Sequence, residues 1–280
     1  GGFEIGLSVK ELRKICQEPV VRENVWYSRV VDRTLSIFIT KALLHTPVTA
    51  NQVTLAYIII GLLASVVMAF GGNTGWIAGA ILLQVFYLLD HVDGELARVR
   101  GQASITGTYF DLLSHYIVHP AIFAGISFGL YRDTASLLVF LFGFVAALSA
   151  VLSTLVNDIR YVAAYLESSR RIPPRTDRRV AVTAVPETGV NQSLLKRLYF
   201  LIAKRLFIGP GIINSITVAV ILQLLIGNLR LGTLDISWLY LVLLMYAVGL
   251  PLVWVREMAN HILKRTPEEA FLEISQNFSE

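Results

Sequence analysis

Apolar residues in this chain fall in blocks of about 20, long enough to cross the roughly 30 Å hydrocarbon core of a bilayer as helices. That feature leaves few folds open. In lipid, every backbone N–H and C=O must be satisfied within the structure, so only helices and closed barrels span. A barrel would be written in short segments of alternating polarity, and these are absent. The charged fraction is 16%, against about 25% in soluble domains, and no soluble domain is evident. The expected fold class is therefore all-α: a polytopic membrane protein of six transmembrane helices, with amphipathic interfacial helices at the N-terminus.

Three regions follow from the chain in order. Residues 1–46 read as a basic N-terminal region. Ser8 and Glu11 form a capping-box pattern opening a short helix with Lys10, Arg13 and Lys14, which Pro19 ends. The stretch 29–45 puts Val31, Leu35, Phe38 and Ala42 on one face, largely opposite Arg29, Arg33, Ser36 and Thr40; it reads as a helix lying on the membrane, or docked on other protein. Residues 47–265 read as the membrane domain. Thr49 and Gln52 cap the first span, about 49–70, and Gly71-Gly72-Asn73 turns into the second, which runs from about 75 and continues as helix to 100. The third span is placed at about 107–130, the fourth at 134–157 with a helical extension to 169, the fifth after Gly209-Pro210-Gly211 up to 226, and the sixth at 238–255. Between the fourth and fifth, 170–191 reads as a mobile loop and 194–207 as another interfacial helix. Residues 266–280 read as a frayed acidic tail.

Charge then orients the bundle. Residues 170–205 hold nine Lys or Arg and two acids, whereas the whole chain is only +4. Six spans place both termini, Arg98, Arg100 and this cluster on one side, and by the positive-inside rule that side is cytoplasmic. The expected location is a multi-pass membrane protein, in the inner membrane for a prokaryote, with anionic lipids rather than nucleic acid as partners of the basic surface. The single cysteine, Cys16, leaves no intrachain disulfide to form.

The chemistry concentrates between the second and third spans. Asp90 and Asp93 are three apart, and Asp111 and His115 four apart, so on helices each pair shares a face. Carboxylates at the edge of a span are costly to desolvate and mark a site. Two such helices facing one another would gather hard oxygen ligands for Mg2+ or Mn2+, set to bridge phosphates. Arg98 can neutralise a phosphate oxygen. Gly94, Ala97 and Gly107 keep side-chain bulk away so that a ligand can approach the backbone. Ser104 and Thr106 can donate hydrogen bonds. His115 is the best-placed general base, because imidazole titrates near neutral pH. His91 is expected to point away from the acids, and His119 to sit in the core. The implied reaction is metal-assisted phosphoryl transfer at a membrane surface.

The stretch Asp90-x2-Asp93-Gly94-x2-Ala97-Arg98-x8-Gly107-x3-Asp111-x3-His115 resembles the signature of the CDP-alcohol phosphotransferases, with His115 where that family has its fourth Asp. Thr46-Pro47-x-Thr49-x-Asn51-x2-Thr54 is similar to the family's lead-in to its first span, with Ala50 where Pro is common. The resemblance implies a six-helix, often dimeric fold around a polar cytoplasmic cavity. It implies that Asp90, Asp93 and Asp111 bind a pair of divalent metals holding the CDP pyrophosphate. It implies that Gly94, Ala97, Arg98 and Gly107 shape the CDP pocket, to which Asn51, Thr54 and Ser104 are added as candidates, and that the fourth-Asp position supplies the base. The expected activity moves a substituted phosphate from a CDP-linked alcohol such as CDP-diacylglycerol to an acceptor hydroxyl, possibly that of a polyol phosphate, with release of CMP, as in phospholipid biosynthesis. His115 removes one negative charge, which weakens the case for a second cation. A catalytically impaired CDP-lipid-binding protein is therefore the alternative. A transporter or a prenyltransferase fits less well, for want of an inverted repeat and of two separated Asp-rich motifs.

Overall fold

The computed structural model describes residues 7–18, 33–171, 206–207, 209–231 and 234–279. It is all-α apart from one small hairpin. The helices are α1 (Val9–Cys16), α2 (Arg33–Leu43), α3 (Ala50–Ala69), α4 (Gly72–Val99), α5 (Ile105–Thr134), α6 (Leu138–Arg171), α7 (Pro210–Ile226), α8 (Trp238–Lys264) and α9 (Thr266–Ser279). The strands β1 (Leu229–Leu231) and β2 (Leu234–Ile236) pair antiparallel between α7 and α8. Five helices, α3 to α6 and α8, are long and apolar enough to cross a membrane, which makes this a polytopic membrane fold. The sixth expected span is α7, an apolar helix of 17 residues. At 1.5 Å per residue it is roughly 26 Å long, slightly short of a full hydrocarbon core. Outward faces carry the apolar side chains that lipid would cover, such as Leu55, Ile59, Leu63 and Val66 on α3. The expected loop at 170–191 starts too early, since Arg170 and Arg171 still belong to α6; the rest of it and most of the expected helix at 194–207 lie outside the described residues.

Local sequence explains where these helices start and stop. α3 opens with a completed capping box: the Thr49 hydroxyl accepts from the Gln52 amide and the Gln52 side chain accepts from the Thr49 amide at 2.9 Å. The turn into α4 uses Gly71 and Gly72, both at φ +65°, where a side chain would be strained. Asp133, near the end of α5, accepts from the Gly72 amide at 3.1 Å and from the Trp76 indole at 3.0 Å, which closes that end of the bundle. Ser104 caps α5 by accepting from the Gly107 amide at 3.1 Å.

Packing brings α3, α4 and α5 together. Gly125 and Gly129, one turn apart on α5, lie directly against α3: a Cβ on Gly125 would run into the Ser65 backbone, and one on Gly129 into the Met68 carbonyl and the Trp76 ring. Small residues four apart allow this close approach, as in membrane helix pairs generally. Tyr57, Phe86, Ile122 and Phe123 are fully buried around the crossing. The same crossing brings the C-terminal half of α4 and the N-terminal half of α5 to one end of the bundle, beside α1 and α2.

The segment 29–45 forms the amphipathic α2 from Arg33 onward, with Leu35 and Phe38 exposed and with Arg33, Ser36 and Thr40 buried against protein. The reason is Glu95 of α4, which is 1% exposed and accepts from Gln17 Nε2, Ser36 Oγ and Thr40 Oγ1, each at 2.7 Å. A buried carboxylate needs donors, and the polar stripe of α2 supplies them. One expectation needs correction: the acidic tail is not frayed, because Thr266–Ser279 form α9, which packs on α6 and buries Ala270.

Candidate active site

Asp90 sits on α4, and Asp111 and His115 on consecutive turns of α5. One ligand atom of each lies within 4.8 Å of the others. His115 Nε2 is 3.8 Å from Asp90 Oδ1 and 3.7 Å from Asp111 Oδ1, so the imidazole faces both carboxylates. Asp90 Oδ1 is buried and accepts no hydrogen bond among the described residues. A buried carboxylate oxygen without a donor is costly unless a cation meets it. Two carboxylates and an imidazole, one of them orphaned, therefore fit a divalent ion, with hard oxygens suited to Mg2+ or Mn2+.

The neighbouring side chains hold this cluster in place. The Tyr57 hydroxyl on α3 is 3.2 Å from both Asp111 Oδ1 and Ser114 Oγ, and Ser114 in turn donates to the Asp111 carbonyl at 2.6 Å. Asp93 lies one turn past Asp90 but outside the three-residue cluster. Its Oδ2 accepts from Thr54 Oγ1 at 2.6 Å, and both residues are buried. Thr54, a candidate for the CDP pocket, thus meets Asp93 in this structure. Tyr57 was not singled out from the sequence, although a tyrosine three residues after Thr54 in an apolar run is a recognisable polar stripe on one helix face.

The remaining signature residues lie outside the cluster and do not line the cavity described below. Arg98 folds back along α4, and its Nη1 and Nη2 would lie 3.1 and 3.3 Å from a Cβ on Gly94. Glycine at 94 is what leaves room for the guanidinium. Gly107 faces Asn51 Oδ1 and Ser104 Oγ, each 3.4 Å from where its Cβ would stand, so these three candidates do come together. Ala97 lies one residue before Arg98 and is half-buried. Arg100 donates to the carbonyls of Leu43 and Thr46, each at 2.8 Å, and to that of Val48, which pins the α4–α5 connector to the lead-in of α3.

A cavity of about 420 Å3 opens beside the cluster, between α4, α5, α6 and the start of α7. Asp90 and His115 form one wall, and Ser153, Asn157 and Asp158 of α6 another. Asp158 Oδ2 accepts from the Tyr116 hydroxyl at 2.8 Å. His119 also lines this cavity rather than lying wholly within the apolar core: it is 6% exposed, stacks on His115 with centroids 5.2 Å apart, and its buried Nε2 has no hydrogen-bond partner among the described residues. Spacing alone could not separate a core histidine from a cavity-facing one, since both lie one turn past His115. His91 places Nδ1 2.9 Å from the Tyr87 carbonyl and its ring edge-on to the Tyr87 ring.

The family model described as CDP-alcohol phosphatidyltransferase matches residues 47–188, just over half of the chain and all of the stretch from Asp90 to His115. No curated protein matches the chain.

Proposed function

The chain belongs to the CDP-alcohol phosphatidyltransferase family, and on that premise we propose that it transfers a phosphatidyl-type group from CDP-diacylglycerol to a hydroxyl of a polyol phosphate, releasing CMP. The observation that carries the reading is the convergence of Asp90, Asp111 and His115, two of which, Asp90 and His115, line a cavity between the helices. Mg2+ or Mn2+ bound by Asp90, Asp111 and the adjacent Asp93 would supply charge neutralisation at the pyrophosphate. Arg98 presents its guanidinium fork to a phosphate oxygen. Gly94, Ala97 and Gly107 keep the floor of the CDP pocket low, with Asn51 and Ser104 at its edge.

The acceptor enters the cavity. Its hydroxyl oxygen forms a bond to the phosphorus that carries the lipid, the bond from that phosphorus to the CMP oxygen breaks, and CMP leaves with the electron pair. His115 Nε2 takes the hydroxyl proton. Arg160, two residues after Asp158 on α6, and the basic residues of 170–205 are the proposed counter-charges for the acceptor's phosphate. The same basic side faces the cytoplasm and its anionic lipids, and the working form is a homodimer.

The test is CMP release from purified protein given Mg2+ or Mn2+, CDP-diacylglycerol and a panel of polyols and polyol phosphates. Release with a polyol phosphate supports the reading. Release with none of them, alongside tight CDP binding, refutes turnover and favours the second reading, a CDP-lipid-binding protein whose His115 has replaced the catalytic carboxylate.

A further inference from the structure

The N-terminal helix α1 contacts the residue assigned to the phosphates. Arg98 Nε donates to the Cys16 carbonyl at 2.7 Å. That carbonyl is one of the last four of α1, which have no partner inside their own helix and carry partial negative charge. The bond uses only the inner nitrogen of the guanidinium. Among the described residues neither Nη group makes a hydrogen bond to protein, and both lie along α4 over Gly94. Among the described residues the fork is therefore held from behind, through Nε alone.

What holds α1 there is independent of the site. Leu12 and Cys16 are fully buried in a cluster with Ile37 of α2, Val53 of α3 and Val92 and Leu96 of α4. Gln17, the residue after α1, donates to Glu95 at 2.7 Å and to the Arg33 carbonyl at 2.7 Å. Glu95 and Arg98 lie two and five residues past Asp93 on the same helix. Burial pushes the Cys16 thiol up to about 12, as expected of a sulfur removed from water in the docked state.

We propose that docked α1 is a positioning element for the CDP-linked substrate: by taking the Arg98 Nε at its C-terminus, it sets the orientation in which Arg98 meets a phosphate. The proposal rests on Arg98 serving the CDP pocket, as proposed above. Cys16 and Leu12 touch no substrate and act only through Arg98. Positioning of this kind affects binding of CDP far more than occupancy of the Asp90–Asp111–His115 cluster.

The experiment uses full-length protein and CDP itself as the probe, in the presence of Mn2+. In Leu12→Asp, a charge enters the apolar cluster and undocks α1. Cys16, the chain's single cysteine, then becomes reactive to a maleimide. The expected result is exposure of Cys16 together with a weakening of CDP binding by about tenfold, the scale of one charge-assisted hydrogen bond, while Mn2+ binding stays within twofold. Gln17→Ala, which leaves the apolar cluster intact, shifts both readouts in the same direction by less. Arg98→Ala weakens CDP binding by a similar factor, and Leu12→Asp added to it has no further effect, because residues acting through one another are not additive. Exposed Cys16 with unchanged CDP binding overturns the proposal, as do additive effects in the double variant. A wild-type protein that binds no CDP overturns the substrate reading instead, and the positioning role falls with it.

Discussion

Replacing Thr54 by valine tests whether Asp93 is held for a metal. The two side chains are nearly the same shape, so the change removes one hydroxyl and leaves the packing of α3 on α4 in place. Thr54 Oγ1 donates to Asp93 Oδ2 at 2.6 Å, Thr54 is 2% exposed and Asp93 8%. Water cannot easily replace the lost donor at that depth. A hydrogen bond to a charged group contributes about 1.5–3 kcal/mol, and each 1.4 kcal/mol is about a factor of ten. Loss of orientation at a residue behind a metal ligand costs about 10- to 100-fold in affinity or activity. The two ranges agree, so Thr54→Val is expected to weaken Mn2+ binding by about 10- to 100-fold and to lower CMP release at limiting metal, with much of the rate recovered at saturating Mn2+. Titration of Mn2+ by its paramagnetic resonance signal, with CMP release at a series of metal concentrations, measures both. Unchanged Mn2+ affinity would refute the reasoning and return Thr54 to the CDP pocket alone.

Three other outcomes are expected. His115→Ala loses at least about a hundredfold in CMP release if the imidazole is the base, whereas His115→Asp retains activity; full activity in His115→Ala excludes the base role. Cys16 stays unmodified by iodoacetamide at pH 8 in the docked protein. Its thiol is raised from an ordinary value of about 8.5 to about 12, so the proton's contribution to docking is complete below about pH 8.5 and is lost as pH climbs toward 12; alkylation should accelerate across that window by more than free-thiol ionisation explains. Gly125→Ala forces a methyl group into the Ser65 backbone and should cost about 1–3 kcal/mol, seen as a lower thermal midpoint in detergent; an unchanged midpoint would mean α3 and α5 do not cross as closely as described.

Much was determined by the order of residues alone. Helical spans follow from the length of the apolar blocks, because a bilayer accepts no other continuous arrangement of that length. Both capping boxes, at Ser8 and Thr49, form as written, since each uses only contacts three residues apart. The convergence of Asp90, Asp111 and His115 was legible for a similar reason: two helices joined by a five-residue connector have to present their near ends together. Periodicity could not assign partners across long separations. It showed a polar stripe on α2 but not that Glu95, more than fifty residues away, would turn that stripe inward. It showed Arg98 but not the Cys16 carbonyl behind it, because an orphaned helix end looks the same in sequence whether it meets water or a guanidinium. It gave His119 one address on a helix, and only packing decided that the address opens on a cavity. Local periodicity encodes which face of a helix is polar; only the tertiary fold decides what that face touches.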